Sequence, residues 1–200
     1  MPIQRVIIVR HGETDYNVEH RWQGHMDVPL NKNGKAQAEA LAKHLVDEAI
    51  DGIFVSDLNR AYDTARPLAK LKKLDIIPDK RLREVHLGIF QGLTRTQIQE
   101  VYPHKTMCWD NDDSYVITHG ESRVQVQNRT YEAWQEITQR DDMKTIMIVS
   151  HGGAIRMMLL KVLPQTTERM RFANTSFSIL ERDSNNLWQS SAINMTTHLE

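Results

Sequence analysis

The chain has 200 residues, with 25 Lys and Arg against 26 Asp and Glu and a formal net charge of −1. So even a balance excludes a nucleic-acid or anionic-membrane footprint over the whole surface, and any basic site must be local. The single cysteine, Cys108, excludes an internal disulfide and any Cys-based zinc motif within the chain.

In chain order, Val6-Ile7-Ile8-Val9 is an unbroken apolar run and predicts a strand covered on both faces, as in the middle of a parallel sheet. It delivers Arg10 and His11 to its carboxyl end, where open α/β sheets bind ligands. A loop over residues 12–30 follows. Asn31 then reads as the N-cap of a helix carrying Ala38, Leu41, Ala42, Leu45 and Ala49 at helical spacing. Ile53-Phe54-Val55 predicts a second strand, and Ser56-Asp57 reads as the cap of a helix over residues 58–72. Pro67 is expected to kink or end that helix.

Residues 75–77 predict another short strand. Residues 82–120 are the least regular part, with one short helix over 94–102 and an acidic run at Asp110-Asn111-Asp112-Asp113. They read as an insertion or lid over the rim of the sheet. Glu121 opens an amphipathic helix on which Val126, Thr130, Ala133 and Ile137 share a face. Ile146-Met147-Ile148-Val149 is a second fully apolar strand, ending in Ser150 and His151.

If the two apolar strands lie side by side, the imidazoles of His11 and His151 meet at one rim. Ile155, Met158, Leu159 and Val162 then line a helix that starts near Gly152, and backbone donors at its amino end suit an anion. Two closing strands, about 176–181 and 187–193, flank the turn signal Asp183-Ser184-Asn185-Asn186. The alternation predicts an α/β fold: one domain over residues 1–200, a three-layer sandwich with a mostly parallel central sheet flanked by helices.

Arg10, His11, Arg60 and His151 are the residues that this topology gathers. Guanidinium groups match phosphate oxygens with paired, charge-assisted hydrogen bonds, so the expected ligand is a phosphate. An imidazole attacks phosphorus only through an unprotonated nitrogen, and its other nitrogen must therefore be held as a donor, for instance by a backbone carbonyl. Surrounding positive charge disfavours the protonated ring. A leaving alkoxide needs a proton, and Glu84 is the carboxyl expected to supply it, with burial raising its proton affinity.

Five blocks carry a resemblance: Arg10-His11-Gly12-Glu13-Thr14 with Asn17; Ser56-Asp57-Leu58-Asn59-Arg60-Ala61 with Thr64-Ala65; Leu82-Arg83-Glu84; Gly120-Glu121-Ser122; and Val149-Ser150-His151-Gly152. In this order they resemble the histidine phosphatase superfamily, also called phosphoglycerate mutase-like, and they span most of the chain. The resemblance implies a transient phosphohistidine on His11, with Arg10, Arg60 and His151 around the phosphate. It also implies Glu84 as proton donor, no metal and no cofactor. Asn17 and Ser122 are implied as phosphate or substrate contacts, and Gly152 as part of the phosphate site at the helix amino end.

Both hydrolases and mutases share this fold, so local residues must decide. Cofactor-dependent phosphoglycerate mutases carry Glu-Arg-His-Tyr-Gly where this chain has Glu84-Val85-His86-Leu87-Gly88, and residues 103–115 set Lys105 against Asp110, Asp112 and Asp113. That is a poor clamp for a second phosphate, and it favours hydrolysis of a small phosphomonoester. Apolar Val85, Leu87, Ile89 and Phe90 predict a mouth that tolerates uncharged or bulky leaving groups. A mutase and a non-catalytic phospho-ligand module are the alternatives. A metal hydrolase built on His11, His151, His86 and Glu84 would lack the spaced His pair of a helical zinc site and would set a cation beside two arginines. The expected setting is cytoplasmic, as monomer or homodimer, with no membrane or nucleic-acid partner; no stretch reaches the roughly 18 apolar residues of a span.

Overall fold

The computed structural model describes residues 2–164 and 170–200. Strand β1 (Arg5–Arg10) leads through the short helix α1 (Asp15–Val18) to α2 (Lys32–Leu45), whose N-cap Asn31 accepts from the Gly34 amide as its sequence position predicts. Strand β2 (Gly52–Val55), helix α3 (Asn59–Lys72) and strand β3 (Ile76–Pro78) follow. The middle segment holds α4 (Arg95–Val101) and α5 (Pro103–Asn111). After it come α6 (Arg123–Thr138), β4 (Thr145–Ser150), α7 (Gly152–Val162) and the hairpin β5 (Phe177–Arg182) and β6 (Trp188–Met195).

Among the described residues the strands form one six-stranded sheet in the order β3-β2-β4-β1-β5-β6. The first four run parallel and the last two antiparallel. Alternate residues of each strand face opposite ways and divide the core. Ile7, Val9, Ile53, Val55, Met147 and Val149 pack against Leu41, Leu45, Ala65 and Leu68 of α2 and α3. Val6, Ile8, Phe54, Ile146 and Ile148 pack against Trp134, Ile137, Ile155 and Leu159 of α6 and α7. The result is the three-layer sandwich that the apolar pattern predicts.

Three local expectations change. Helix α3 does not end at Pro67 but continues to Lys72, because Ala61 and Ala65 before it and Leu68 and Ala69 after it are all buried in the same apolar cluster, and that packing outweighs one lost hydrogen bond. Ser56 is not the N-cap: α3 begins after Leu58 with no side-chain cap bond, and the Ser56 hydroxyl oxygen accepts from the Leu58 N–H at 3.4 Å and meets His151 at 2.8 Å. The segment 82–120 contains two helices rather than one; Pro103 opens the second at the position where its missing N–H costs nothing. That segment has its own apolar cluster of Phe90, Ile98, Trp109 and Ile117, which joins Val126 and Met157 at the carboxyl end of the sheet.

Candidate active site

β1 and β4 pair in parallel with Arg10 opposite Ser150, so the next residue on each strand is a histidine. The two rings lie 5.0 Å apart between centroids, tilted by 55°. Both are buried. His11 Nδ1 lies 2.7 Å from the Gly12 carbonyl oxygen. A carbonyl only accepts, so Nδ1 carries the proton and the lone pair is on Nε2. Burial first, then Arg60 and Arg10, hold the His11 pKa well below its usual value, and the ring is neutral.

His151 is organised differently. Arg60 Nε donates to its Nδ1 at 3.2 Å, which places the proton of the neutral ring on Nε2, 2.8 Å from the Ser56 hydroxyl. Burial and then Arg60 hold its pKa well below the usual value. Of the four residues expected to surround the phosphate, two histidines are therefore neutral and the arginines supply the charge.

Arg60 is fully buried. It donates to the carbonyls of Gly24 and Met26 at 2.8 Å each as well as to His151. Burial lowers its pKa to about 10, which leaves it protonated at neutral pH. Arg10 donates to the Phe172 carbonyl at 2.6 Å, while its Nε is buried with no hydrogen-bond partner among the described residues. A buried N–H of this kind is a donor suited to an anionic oxygen. Burial lowers the Arg10 pKa, with the Glu84 charge acting the other way.

Glu84 faces the same space, but not as an isolated buried acid. Its carboxylate accepts from Val85 N at 2.9 Å, Ala154 N at 2.9 Å and Gly153 N at 3.1 Å. The anion at the amino end of α7 is therefore the protein's own carboxylate. Neither Arg81 nor Arg83 pairs with it; Arg81 binds Asp79 and Glu136, and Arg83 makes a two-point pair with Asp57 at 2.6 Å. The backbone beneath Glu84 is held by Arg129, which donates at 2.7 Å to the carbonyls of Arg81, Arg83 and Glu84 and grips both oxygens of Glu121. His25 adds a bond to the Glu84 carbonyl at 2.7 Å.

These groups open on a cavity of about 350 Å³ lined by Arg10, His11, Asn17, Arg60, Glu84 and Gly153 at its reactive end. Asn17 lines it as expected; its Oδ1 is taken by Thr14 and Asn174, which leaves its amide nitrogen for a ligand. Three expected residues stand elsewhere. His151 lies behind the cavity lining, with both ring nitrogens on protein groups. Ser122 is the N-cap of α6, its hydroxyl accepting from Gln125 N and its amide donating to the Gln125 side chain, so it does not line the cavity. Gly152 lies against Arg10 outside the lining, and the glycine that the site requires is its neighbour: a Cβ on Gly153 would stand 2.6 Å from Glu84 Oε1.

The cavity also has walls that the sequence reading missed. Val85 and Leu87 line it as expected, but Ile89 and Phe90 do not, and Arg21, Arg123 and Arg156 do. The cavity lining therefore mixes apolar and cationic side chains. Trp22 and Gln23 line it too, and the Gln23 side-chain oxygen is buried with no hydrogen-bond partner among the described residues. Lys105 bonds to Thr118 and takes no part. Among the described residues no group of three or more His, Cys, Asp or Glu side chains is placed to hold a metal ion, and no helix is long and apolar enough to cross a membrane.

The loop after His11 is fitted tightly to α2. A Cβ on Gly34 would overlap the Glu13 carbonyl oxygen and stand 2.7 Å from the Glu13 amide nitrogen, both of them backbone atoms. Gly34→Ala is accordingly expected to push α2 off the site loop, costing about 1–3 kcal/mol and lowering Tm by roughly 2–10 °C. Thermal unfolding of the variant checks this, and an unchanged Tm would mean that the loop yields freely.

The family profile of the histidine phosphatase superfamily (branch 1) matches residues 6–196. Phosphoglycerate mutase-like protein 4 of Arabidopsis thaliana is 34% identical over 199 residues, 98% of this chain and 86% of that protein. Glucosyl-3-phosphoglycerate phosphatase of Mycobacterium tuberculosis is 39% identical over 163 residues, 78% of this chain and 73% of that protein. The solved structure of a mycobacterial glucosyl-3-phosphoglycerate phosphatase in complex with VO3 superposes with a TM-score of 0.85 at 34% identity, covering 96% of this chain and 98% of that one.

Proposed function

The chain belongs to the histidine phosphatase superfamily, and on that footing we propose that it is a phosphomonoester hydrolase acting on a small phosphorylated metabolite through a phosphohistidine on His11. The observation that carries this reading is the state of His11: neutral, with its Nδ1 proton held by the Gly12 carbonyl and its Nε2 lone pair available beside Arg10 and Arg60. A relative named as a glucosyl-3-phosphoglycerate phosphatase supports the reaction class.

The phosphoryl group of the ester enters between Arg10 and Arg60, with the Arg10 Nε–H and the Asn17 amide donating to its oxygens. Nε2 attacks phosphorus in line with the ester oxygen, the P–O bond breaks as the P–N bond forms, and the two arginines meet the charge on the equatorial oxygens. Glu84 in its acid form gives a proton to the departing alkoxide. Its carboxylate then takes one from water, whose oxygen attacks phosphorus; the P–N bond breaks, and inorganic phosphate and neutral His11 are restored. The amides of Val85, Gly153 and Ala154 hold the carboxylate in place for both transfers. His151 orients Arg60 and packs beside His11.

Phosphate release from p-nitrophenyl phosphate and a panel of alkyl monophosphates, measured with excess EDTA, tests the reading. Release unaffected by the chelator is expected. Activity lost in EDTA and restored by added metal would replace this mechanism with a metal-dependent one.

A further inference from the structure

The nucleophile is held by more than its own strand. The peptide joining His11 to Gly12 is gripped at both ends: its carbonyl oxygen accepts from the Asn174 amide at 3.1 Å and the Thr175 N–H at 3.3 Å, and its N–H donates to the Thr64 hydroxyl at 2.9 Å. Turning that peptide would carry the Gly12 carbonyl away from His11 Nδ1 and release the bond that keeps the lone pair on Nε2. The same segment serves the phosphate site, since the Phe172 carbonyl holds Arg10 and Asn174 also binds Asn17.

Thr175 is the strained member of this segment. It is fully buried with φ 54°, a left-handed backbone that β-branched residues avoid. Such a conformation persists only where the surroundings over-determine it. The restraint comes from the end of the last hairpin. Near the close of β6, Asn194 Oδ1 accepts from the Ala173 N–H at 2.8 Å, and in the turn that follows, His198 Nε2 lies 3.0 Å from the Thr175 hydroxyl oxygen. That hydroxyl spends its proton on the Asn174 carbonyl at 2.8 Å, so it accepts from His198, and the imidazole proton is on Nε2. The ring itself is placed by packing, 5.9 Å from Phe177 of β5 and 6.0 Å from His44 of α2 between centroids. Burial and then His44 lower its pKa to about 4, which keeps it neutral. Its Nδ1 has no hydrogen-bond partner among the described residues. An apolar ring would fill the same place, and the bond to Thr175 is what a histidine adds.

We propose that His198 is a positioning residue for the nucleophile, acting through Thr175 to keep the His11–Gly12 peptide in the orientation that presents Nε2 to phosphorus. The inference rests on the reaction proposed at His11 and adds to it a residue that does not line the cavity.

The test is release of p-nitrophenol from p-nitrophenyl phosphate in a single turnover, with enzyme in saturating excess. This leaving group departs without a proton, so the rate constant reads attack by His11 and not the work of Glu84. With enzyme in excess, a preparation that is only partly folded keeps the native rate constant, whereas a displaced nucleophile lowers it. His198→Ala is expected to lower the constant by about 10- to 100-fold, the cost of a small misplacement of a reacting group. Thr175→Val, which keeps the branched shape and removes the acceptor, is expected to lower it as well. His198→Gln is expected to recover most of the loss, because its side-chain amide donates from the same place. Leu199→Ala, in the same turn with its side chain 41% exposed, is expected to keep the native value. A native rate constant in His198→Ala or in Thr175→Val, equal losses in the alanine and glutamine variants, or as large a loss in Leu199→Ala would overturn the role of His198 and leave the reaction standing. No p-nitrophenol from the native chain would overturn the reaction itself and this role with it.

Discussion

His11→Ala is expected to lower phosphomonoester turnover by roughly 10⁴-fold or more, the scale seen when a covalent nucleophile is removed. The ring contributes the only nitrogen lone pair that lines the cavity among the described residues, since both nitrogens of His151 are engaged by Arg60 and Ser56. No neighbouring side chain takes over. Phosphate binding is expected to survive, because Arg10 and Arg60 are held by the Phe172, Gly24 and Met26 carbonyls and by His151 rather than by His11. Steady-state kinetics and calorimetric titration with inorganic phosphate read the two properties separately. A variant that keeps more than a tenth of native turnover would show that the nucleophile lies elsewhere.

Glu84→Gln is expected to lower hydrolysis of alkyl phosphates by about 10²- to 10⁴-fold, the usual worth of a positioned acid or base. Hydrolysis of p-nitrophenyl phosphate is expected to suffer much less at the first step, since that leaving group departs without a proton. The geometry adds a cost that a solvent-exposed acid would not show. Glu84 Oε1 and Oε2 accept from three backbone amides, and an amide nitrogen at either place would face an N–H. One of those donors is left unpaired, at about 1–3 kcal/mol, and the fold should be measurably less stable. Equal kinetic losses on both classes of ester would remove Glu84 from the proton transfers.

Much of this arrangement is legible in the sequence, for reasons that differ by residue. Val6–Val9 and Ile146–Val149 announce buried parallel strands because neither face alternates with polar residues, and two such strands must lie centrally. Their pairing then brings His11 beside His151 by register alone. The state of His151 is not legible. Ser56 carries the signal of a helix cap, and only the folded chain shows that its hydroxyl also holds the imidazole.

Other parts leave weaker marks. Arg123, Arg129 and Arg156 are spaced along helices whose opposite faces are buried, a pattern that solvated surface charges share; what distinguishes them is that two line the cavity together with residues of the segment 82–120, and that the carbonyls of Arg81, Arg83 and Glu84 bind the third. The segment 172–175 holds Arg10 and His11 through the Phe172 carbonyl, the Asn174 amide and the Thr175 N–H, mostly backbone contacts that any residue type could make. Helix α5 was hidden because only Thr106 and Trp109 of its residues are buried, too few to set up a period. The choice between Gly152 and Gly153 turns on a single Cβ clash with Glu84, a matter of atoms rather than of pattern.

The central claim is a covalent phosphoryl group on His11, and rapid acid-free quenching of the native chain during turnover of a ³²P-labelled monoester, followed by peptide mapping, tests it most directly. The account predicts a phosphate that is stable to alkali and labile to acid, carried on the peptide containing His11, appearing and decaying at rates compatible with turnover. Labelled phosphate released with no protein-bound species at any time under single-turnover conditions, or a species mapped to another residue, would contradict it.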